Sequence, residues 1–313
     1  MDPVSAPPTN CWTRQTPARV ALLVASLALP AAHRAPAKGE LVLDAASPIV
    51  AVTIDGIPLR LRVDLAAQDA VELNPGAAAR LPVRWQGDLP LDVGRVRLPG
   101  RAALASLVME GETVPVQVAD HGRDCCKEAD GAIAPGLLPF ATVRWQRAQA
   151  PEPTATRTLA LEWAPETGYA APVPDENATV RVRFDPFAPE TSATAAAGAL
   201  LARAWGGHWA GPPTRITAAF GVERPARPIS FDHAGTLASF PLPRLLVRLA
   251  DFGGSERLPV EPSEPGDIVV RRRMGRQHAW PVVTLSADRL NRCREIRFDT
   301  QPLSLTLSCA FTS

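Results

Sequence analysis

From about residue 40 onward the chain is built of short runs in which apolar and polar residues alternate. Leu41 to Leu43, Ile49 to Ile54 and Pro58 to Val63 each put every second side chain on one face, the period of a strand half buried against a core. Asp55-Gly56, between the last two runs, predicts a tight hairpin turn, because both residue types tolerate positive φ. Val93 to Leu98 and Thr113 to Val118 alternate in the same way. Further strands are predicted at Arg157 to Trp163, Thr179 to Phe184, Leu245 to Leu249, Val282 to Leu285, Glu295 to Phe298 and Leu303 to Leu307. Helical patterns are short: Pro75 to Leu81, Ala193 to Ala204 and Ala287 to Arg292. Pro151 to Pro153 and Ala170 to Pro174 predict proline-rich connectors. The 33 prolines argue against a mostly helical protein, since proline costs about 3 kcal/mol inside a helix.

The N-terminal pattern is different. Arg14 and Arg19 precede Val20 to Leu29, apolar throughout except for Ser26, and Pro30 ends the run. A positive start, a short apolar stretch and small residues make up a secretory signal. Ala35-Pro36-Ala37 fits cleavage after Ala37, with Ala32 as the competing site. Residues 1–37 are therefore expected to be a removable signal and the protein to be periplasmic or secreted. No later stretch is long and apolar enough to cross a membrane as a helix.

Composition narrows the partners. With 313 residues, 46% apolar, 21% charged and a net charge of +1, the chain is neither disordered nor a polybasic nucleic-acid binder. Loss of residues 1–37 removes three arginines and one aspartate, leaving 30 basic against 31 acidic residues. No electrostatic case for nucleic acid remains. Export permits disulfides, and four cysteines follow the signal. Cys293 and Cys309 flank two strand patterns around Gln301-Pro302, so a hairpin would bring them together. Cys125 and Cys126 are adjacent; they either bond to each other with strain, stay reduced, or pair elsewhere. No cysteine or histidine pair has metal-ligand spacing and no cofactor motif is present, so neither group is expected.

An internal repeat carries the most information. Leu59-Arg60-Leu61-Arg62-Val63-Asp64 matches Val180-Arg181-Val182-Arg183-Phe184-Asp185, 121 positions later. Each copy is followed by a loop and a small-residue helix, Pro75 to Leu81 and Ala195 to Leu201. In this the chain resembles the aspartic peptidases, pepsin-like or bacterial retropepsin-like, in which each half presents one Asp at a strand end in an Asp-Thr/Ser-Gly motif. Val52 to Pro58 is similar to that family's entry hairpin. Asp130 to Phe140 and Val282 to Asp299 are similar to its later strand-and-turn element in each half. The resemblance implies a mainly β, two-lobed fold of barrel-like sheets with a few short helices. The lobes would be residues 38–165 and 166–313, with Asp64 and Asp185 as the two catalytic positions.

The supports of those positions are absent. The resemblance assigns loop-tying hydroxyls and close-packing glycines to places where this chain has Leu65-Ala66 and Pro186-Phe187. Ala134 and Thr284 stand near the places of two further glycines. Strand alternation also puts Arg60 and Arg62 on the face of Asp64, and Arg181 and Arg183 on that of Asp185. Nearby cations favour ionised carboxylates, whereas a hydrolytic pair retains one proton. The expectation is a protein with impaired or lost catalysis that binds a peptide or cell-envelope partner. The alternative is a divergent endopeptidase using Asp64 and Asp185 on water. Glu190 is a second candidate for the later Asp position. Cys126 with His121, Asp232-His233, Gly253-Gly254-Ser255 and the basic run Arg271 to Arg276 are weaker candidates, and Trp205 and Trp209 are read as core.

Overall fold

The computed structural model describes residues 39–165, 167–175, 178–251, 258–259 and 280–311. Among these the protein is mainly β with a few short helices. Among the described residues no helix is long and apolar enough to cross a membrane. The signal pattern at 1–37, the glycine pair at 253–254 and the basic run at 271–276 lie outside the described residues.

The first half closes a barrel of six strands. In barrel order these are Ile49–Ile54, Ile57–Val63, Gly131–Ile133, Val71–Leu73, Glu112–Asp120 and Arg101–Met109. Asp55 (φ 46°) and Gly56 (φ 83°) make the predicted turn between the first two strands. Strand Ile57–Val63 points Leu59, Leu61 and Val63 into the barrel and leaves Arg60 and Arg62 outside. Gly131 is required where Gly131–Ile133 crosses the barrel: a Cβ there would sit 2.3 Å from the Glu72 carbonyl oxygen.

The second half repeats the pairing. Ile57–Val63 runs antiparallel to the strand before it and parallel to Gly131–Ile133. Ala178–Asp185 likewise runs antiparallel to Gly168–Asp175 and parallel to Val282–Ser286. Gly131–Ile133 then meets Val71–Leu73 antiparallel, as Val282–Ser286 meets Ser192–Ala193. Those short strands in turn pair parallel with Glu112–Asp120 and Phe240–Arg248. A third sheet joins the halves. Its central antiparallel pair is Thr142–Gln146 from the first half and Cys293–Thr300 from the second. Phe298, fully buried, packs edge-on against Tyr169 at 5.0 Å between ring centroids.

Three predicted elements change. Val93 to Leu98 is not one strand but a hairpin of Leu91–Val93 and Val96–Leu98, because Gly94 takes φ 59° and turns the chain. Arg157 to Trp163 divides into Ala155–Ala160 and Glu162–Ala164, which join different sheets on either side of buried Leu161. Ala170 to Pro174 is not a connector but part of strand Gly168–Asp175. The N–H of Arg181 points away from this strand, donating to the Pro281 carbonyl at 2.9 Å. Its opposite residue Pro172 therefore also turns its nitrogen outward, where no donor is needed.

Cys293 and Cys309 face each other across the final hairpin with their sulfurs 1.98 Å apart, in the predicted pairing. The bond closes a loop of 16 residues, which in a chain-entropy account is worth about 3 kcal/mol. The double variant Cys293→Ser/Cys309→Ser is expected to lose about that much stability in urea unfolding, with far-UV circular dichroism unchanged before the transition.

Candidate functional site

Each Asp stands where its strand ends and the chain turns. The N–H of Asp64 still pairs with the Ile133 carbonyl at 2.9 Å, after which Leu65 to Ala67 fold back. The repeat places Asp185 in register with Ser286, and Ser286 rather than Thr284 is therefore the counterpart of Ala134; Thr284 lies opposite Arg183. Behind Asp185, Thr191 donates its hydroxyl to Asp288 Oδ1 at 2.7 Å and accepts the Ser286 N–H at 3.1 Å. This network, in which Thr191 and Ser286 are buried and Asp288 is exposed, fixes the second loop, and no spacing rule in the sequence marks it.

The two loops meet. Asp64 is 6% exposed, and Asp185 lies close enough for its charge to act on it. Burial pushes the Asp64 carboxyl above the ordinary Asp range, and the Asp185 charge pushes it the same way; the Arg62 guanidinium and the Ala66 N–H oppose them. The expectation that arginines would hold both carboxylates ionised is thus corrected for Asp64, because burial there outweighs the cation. Both Asp64 oxygens are engaged: Oδ2 by Arg62 Nη2 at 2.8 Å and Oδ1 by the Ala66 N–H at 2.8 Å. Asp185 Oδ1 accepts the N–H groups of Phe187 at 2.9 Å and Ala188 at 3.0 Å.

The arginines two positions before each Asp do more than the alternation predicts. Arg62 binds its own Asp64 but also lies over the Phe187 ring of the opposite loop, 4.0 Å from the ring centroid. Arg183 donates from Nη2 to the Ala66 carbonyl in the first loop at 2.8 Å. Each half thus reaches the other's loop through repeat-related arginines. Burial lowers the Arg183 pKa, while the Asp185 and Asp64 charges raise it. Arg60, by contrast, is exposed and meets Asp130 only through its backbone.

The remaining candidates separate from this centre. Glu190 is exposed, as are Asp232 and His233. Trp205 packs edge-on to Phe231, and Trp209 donates its indole N–H to the Pro259 carbonyl. His121 is not paired with Cys126. It is 4% exposed, with Nδ1 2.9 Å from Glu72 Oε2 and Nε2 3.1 Å from the Leu89 carbonyl. Two acceptors on one ring call for the doubly protonated form. Burial disfavours that charge, but the Glu72 hydrogen bond and charge outweigh it and raise the His121 pKa. Cys125 and Cys126 are free thiols in this structure, their sulfurs 3.3 Å apart. Among the described residues no cluster of His, Cys, Asp and Glu has the make-up to hold a metal ion.

No protein-family model matches the chain, and no curated protein matches it. Among solved structures, an EIAV protease complexed with the inhibitor HBY-793 is similar at 14% identity over 28% of this chain and 81% of that one, with a TM-score of 0.23.

Two pH dependences are expected. The folded state binds the Asp64 proton more tightly than the unfolded chain does, so stability falls as pH rises from the ordinary Asp range through the raised value. In urea unfolding across that range, Asp64→Asn flattens the fall. The His121 imidazolium has the opposite partner balance: its stabilisation is complete below the ordinary His range and is lost as pH rises through the raised value. An NMR titration should find the His121 midpoint above that of an unperturbed histidine, and Glu72→Gln should move it downward.

Proposed function

We propose that the chain is an exported, two-lobed protein of aspartic-peptidase-like architecture, with a signal at 1–37 and lobes 38–165 and 166–313. Its Asp64–Asp185 site binds a peptide or a protein partner of the cell envelope, and peptide hydrolysis is impaired or lost. One observation carries this reading: three of the four carboxylate oxygens already hold hydrogen-bond donors of the chain itself. Asp64 gives one oxygen to Arg62 and the other to Ala66 N–H, and Asp185 holds two backbone N–H groups on one oxygen. Activating water between two carboxylates requires them to share a proton and leave acceptor sites free. Two donors near the Asp pair lack partners: the Nε groups of Arg62 and Arg183 are buried with no acceptor among the described residues, and a peptide carbonyl satisfies either once the loops part to admit it.

The divergent endopeptidase is the second reading, and the raised pKa of Asp64 beside Asp185 favours it, because a hydrolytic pair holds one proton. Incubation of the full-length protein with an unfolded protein substrate across acidic and neutral pH separates the two. The binding reading expects no cleavage above that of the Asp64→Asn variant. It also expects peptides selected by the wild type from a random library to bind Arg62→Ala about tenfold more weakly, the loss of one charge-assisted hydrogen bond. Acid-dependent cleavage that Asp64→Asn abolishes would establish the endopeptidase and overturn the proposal.

A further inference from the structure

The connection between Glu112–Asp120 and Gly131–Ile133 holds the adjacent thiols Cys125 and Cys126. Cys126 is buried and Cys125 half-buried, while Gly122 to Asp124 on one side and Lys127 and Glu128 on the other are exposed. The segment is thus anchored at its cysteines and open around them. Asn74, the residue before helix Pro75–Ala78, does the anchoring. Its Oδ1 accepts the Cys125 N–H at 2.9 Å, and its Nδ2 donates to the carbonyls of Cys126 at 2.7 Å and Ala129 at 2.9 Å. Cys125 Sγ also approaches the Glu72 carbonyl at 3.5 Å. One amide side chain therefore holds both cysteine backbones, with the sulfurs 3.3 Å apart, little more than an ångström beyond a bond.

The surroundings make the two sulfurs unequal. Either sulfur can donate the hydrogen bond between them; donated by Cys125 it lowers the Cys126 pKa, burial opposes this, and the Arg62 charge lowers it further. The same hydrogen bond, with burial, raises the Cys125 pKa. Cys126 is the better thiolate and Cys125 the reserve thiol, the division of labour of an attacking and a resolving cysteine.

We propose that Cys125 and Cys126 form a modification site for thiol–disulfide exchange, in which the pair reduces a small-molecule disulfide such as oxidised glutathione and closes into a vicinal disulfide. Cys126, buried at rest, is reached when the exposed residues on either side of the cysteine pair part; it then loses its proton and attacks one sulfur of the incoming disulfide. The expelled thiolate takes up a proton and departs as the first thiol. Cys125 then loses its proton and attacks the Cys126 sulfur of the mixed disulfide. The second thiolate leaves and is protonated in turn. Two protein thiols have become one disulfide, and one external disulfide has become two thiols. The eight-membered ring is strained, which keeps the oxidised form open to reduction. Closure removes an ionisable sulfur from the Arg62 field and leaves that guanidinium to Asp64, so the redox state bears on the central site. The proposal does not depend on whether that site binds or cleaves peptides.

Mass spectrometry of the full-length protein treated with oxidised glutathione tests it, with unpaired cysteines alkylated before digestion. The wild type is expected to yield a peptide spanning Cys125 and Cys126 that is lighter by two hydrogens, carries no alkyl group and returns to the alkylatable form after mild reduction. Cys125→Ser is expected to stop at a mixed disulfide on Cys126. In Cys126→Ser, the remaining thiol of Cys125 is expected to stay largely unmodified. Persistence of two alkylatable thiols in the wild type, or a stable glutathione adduct there without closure, would overturn the proposal. An unmodified Cys125→Ser protein would do the same. The wild-type result needs no variant to fold, and retention of the Cys293–Cys309 bond in the same digest marks the native protein.

Discussion

A carboxylate can be buried only among groups that replace its water, and Asp64 is buried where the two halves of the chain meet. Arg62 and the Ala66 N–H supply those groups. The cation that serves Asp64 is then placed against Phe187 of the opposite loop, and Arg183 answers from the other half by donating to the Ala66 carbonyl. The balance of two acids and two arginines therefore does two things at once. It neutralises a buried centre, and it ties the loops to each other. The raised proton affinity of Asp64 and the lowering of the Cys126 pKa by the Arg62 charge both follow from this centre.

The sheets bring the four residues to one place. In each half, a strand ending in Asp runs parallel to a later strand, which fixes where the loop emerges. The third sheet then pairs one strand from each half, Thr142–Gln146 with Cys293–Thr300, so the loops are held on opposed frames. Leu65 and Pro186, directly after the two Asp, carry no hydroxyl, and guanidinium groups from the strands tie the loops together: Arg62 lies over Phe187 and Arg183 donates to the Ala66 carbonyl.

Much of the fold was legible in the sequence because period-two alternation reports which face of a strand meets the core. It located Ile49–Ile54 and Ile57–Val63 with their turn, the strand that leads to each Asp, and the final hairpin with its cysteine pair. It failed where backbone geometry overrode side-chain pattern. Gly94 broke one alternating run into a hairpin, and the prolines of Ala170 to Pro174 suggested a connector although their nitrogens face the unpaired side of a strand. The site was legible in its acids and not in its partners. Alternation correctly gave Arg62 to Asp64, but it had no means of seeing Arg183 reach across to Ala66, nor Thr191, Asp288 and Ser286 converge behind Asp185.

The sequence by itself determined a duplicated strand–Asp–loop unit, the residue types at each position and the lack of a hydroxyl or a glycine in the two residues after each Asp. These are local properties, written in neighbours along the chain. Only the tertiary structure decided which charges meet, because contacts such as Arg62 with Phe187 and Arg183 with Ala66 join residues more than a hundred positions apart. It also decided the protonation balance. A carboxyl's affinity for its proton depends on how much water remains around it, and burial reverses what a list of neighbouring charges predicts.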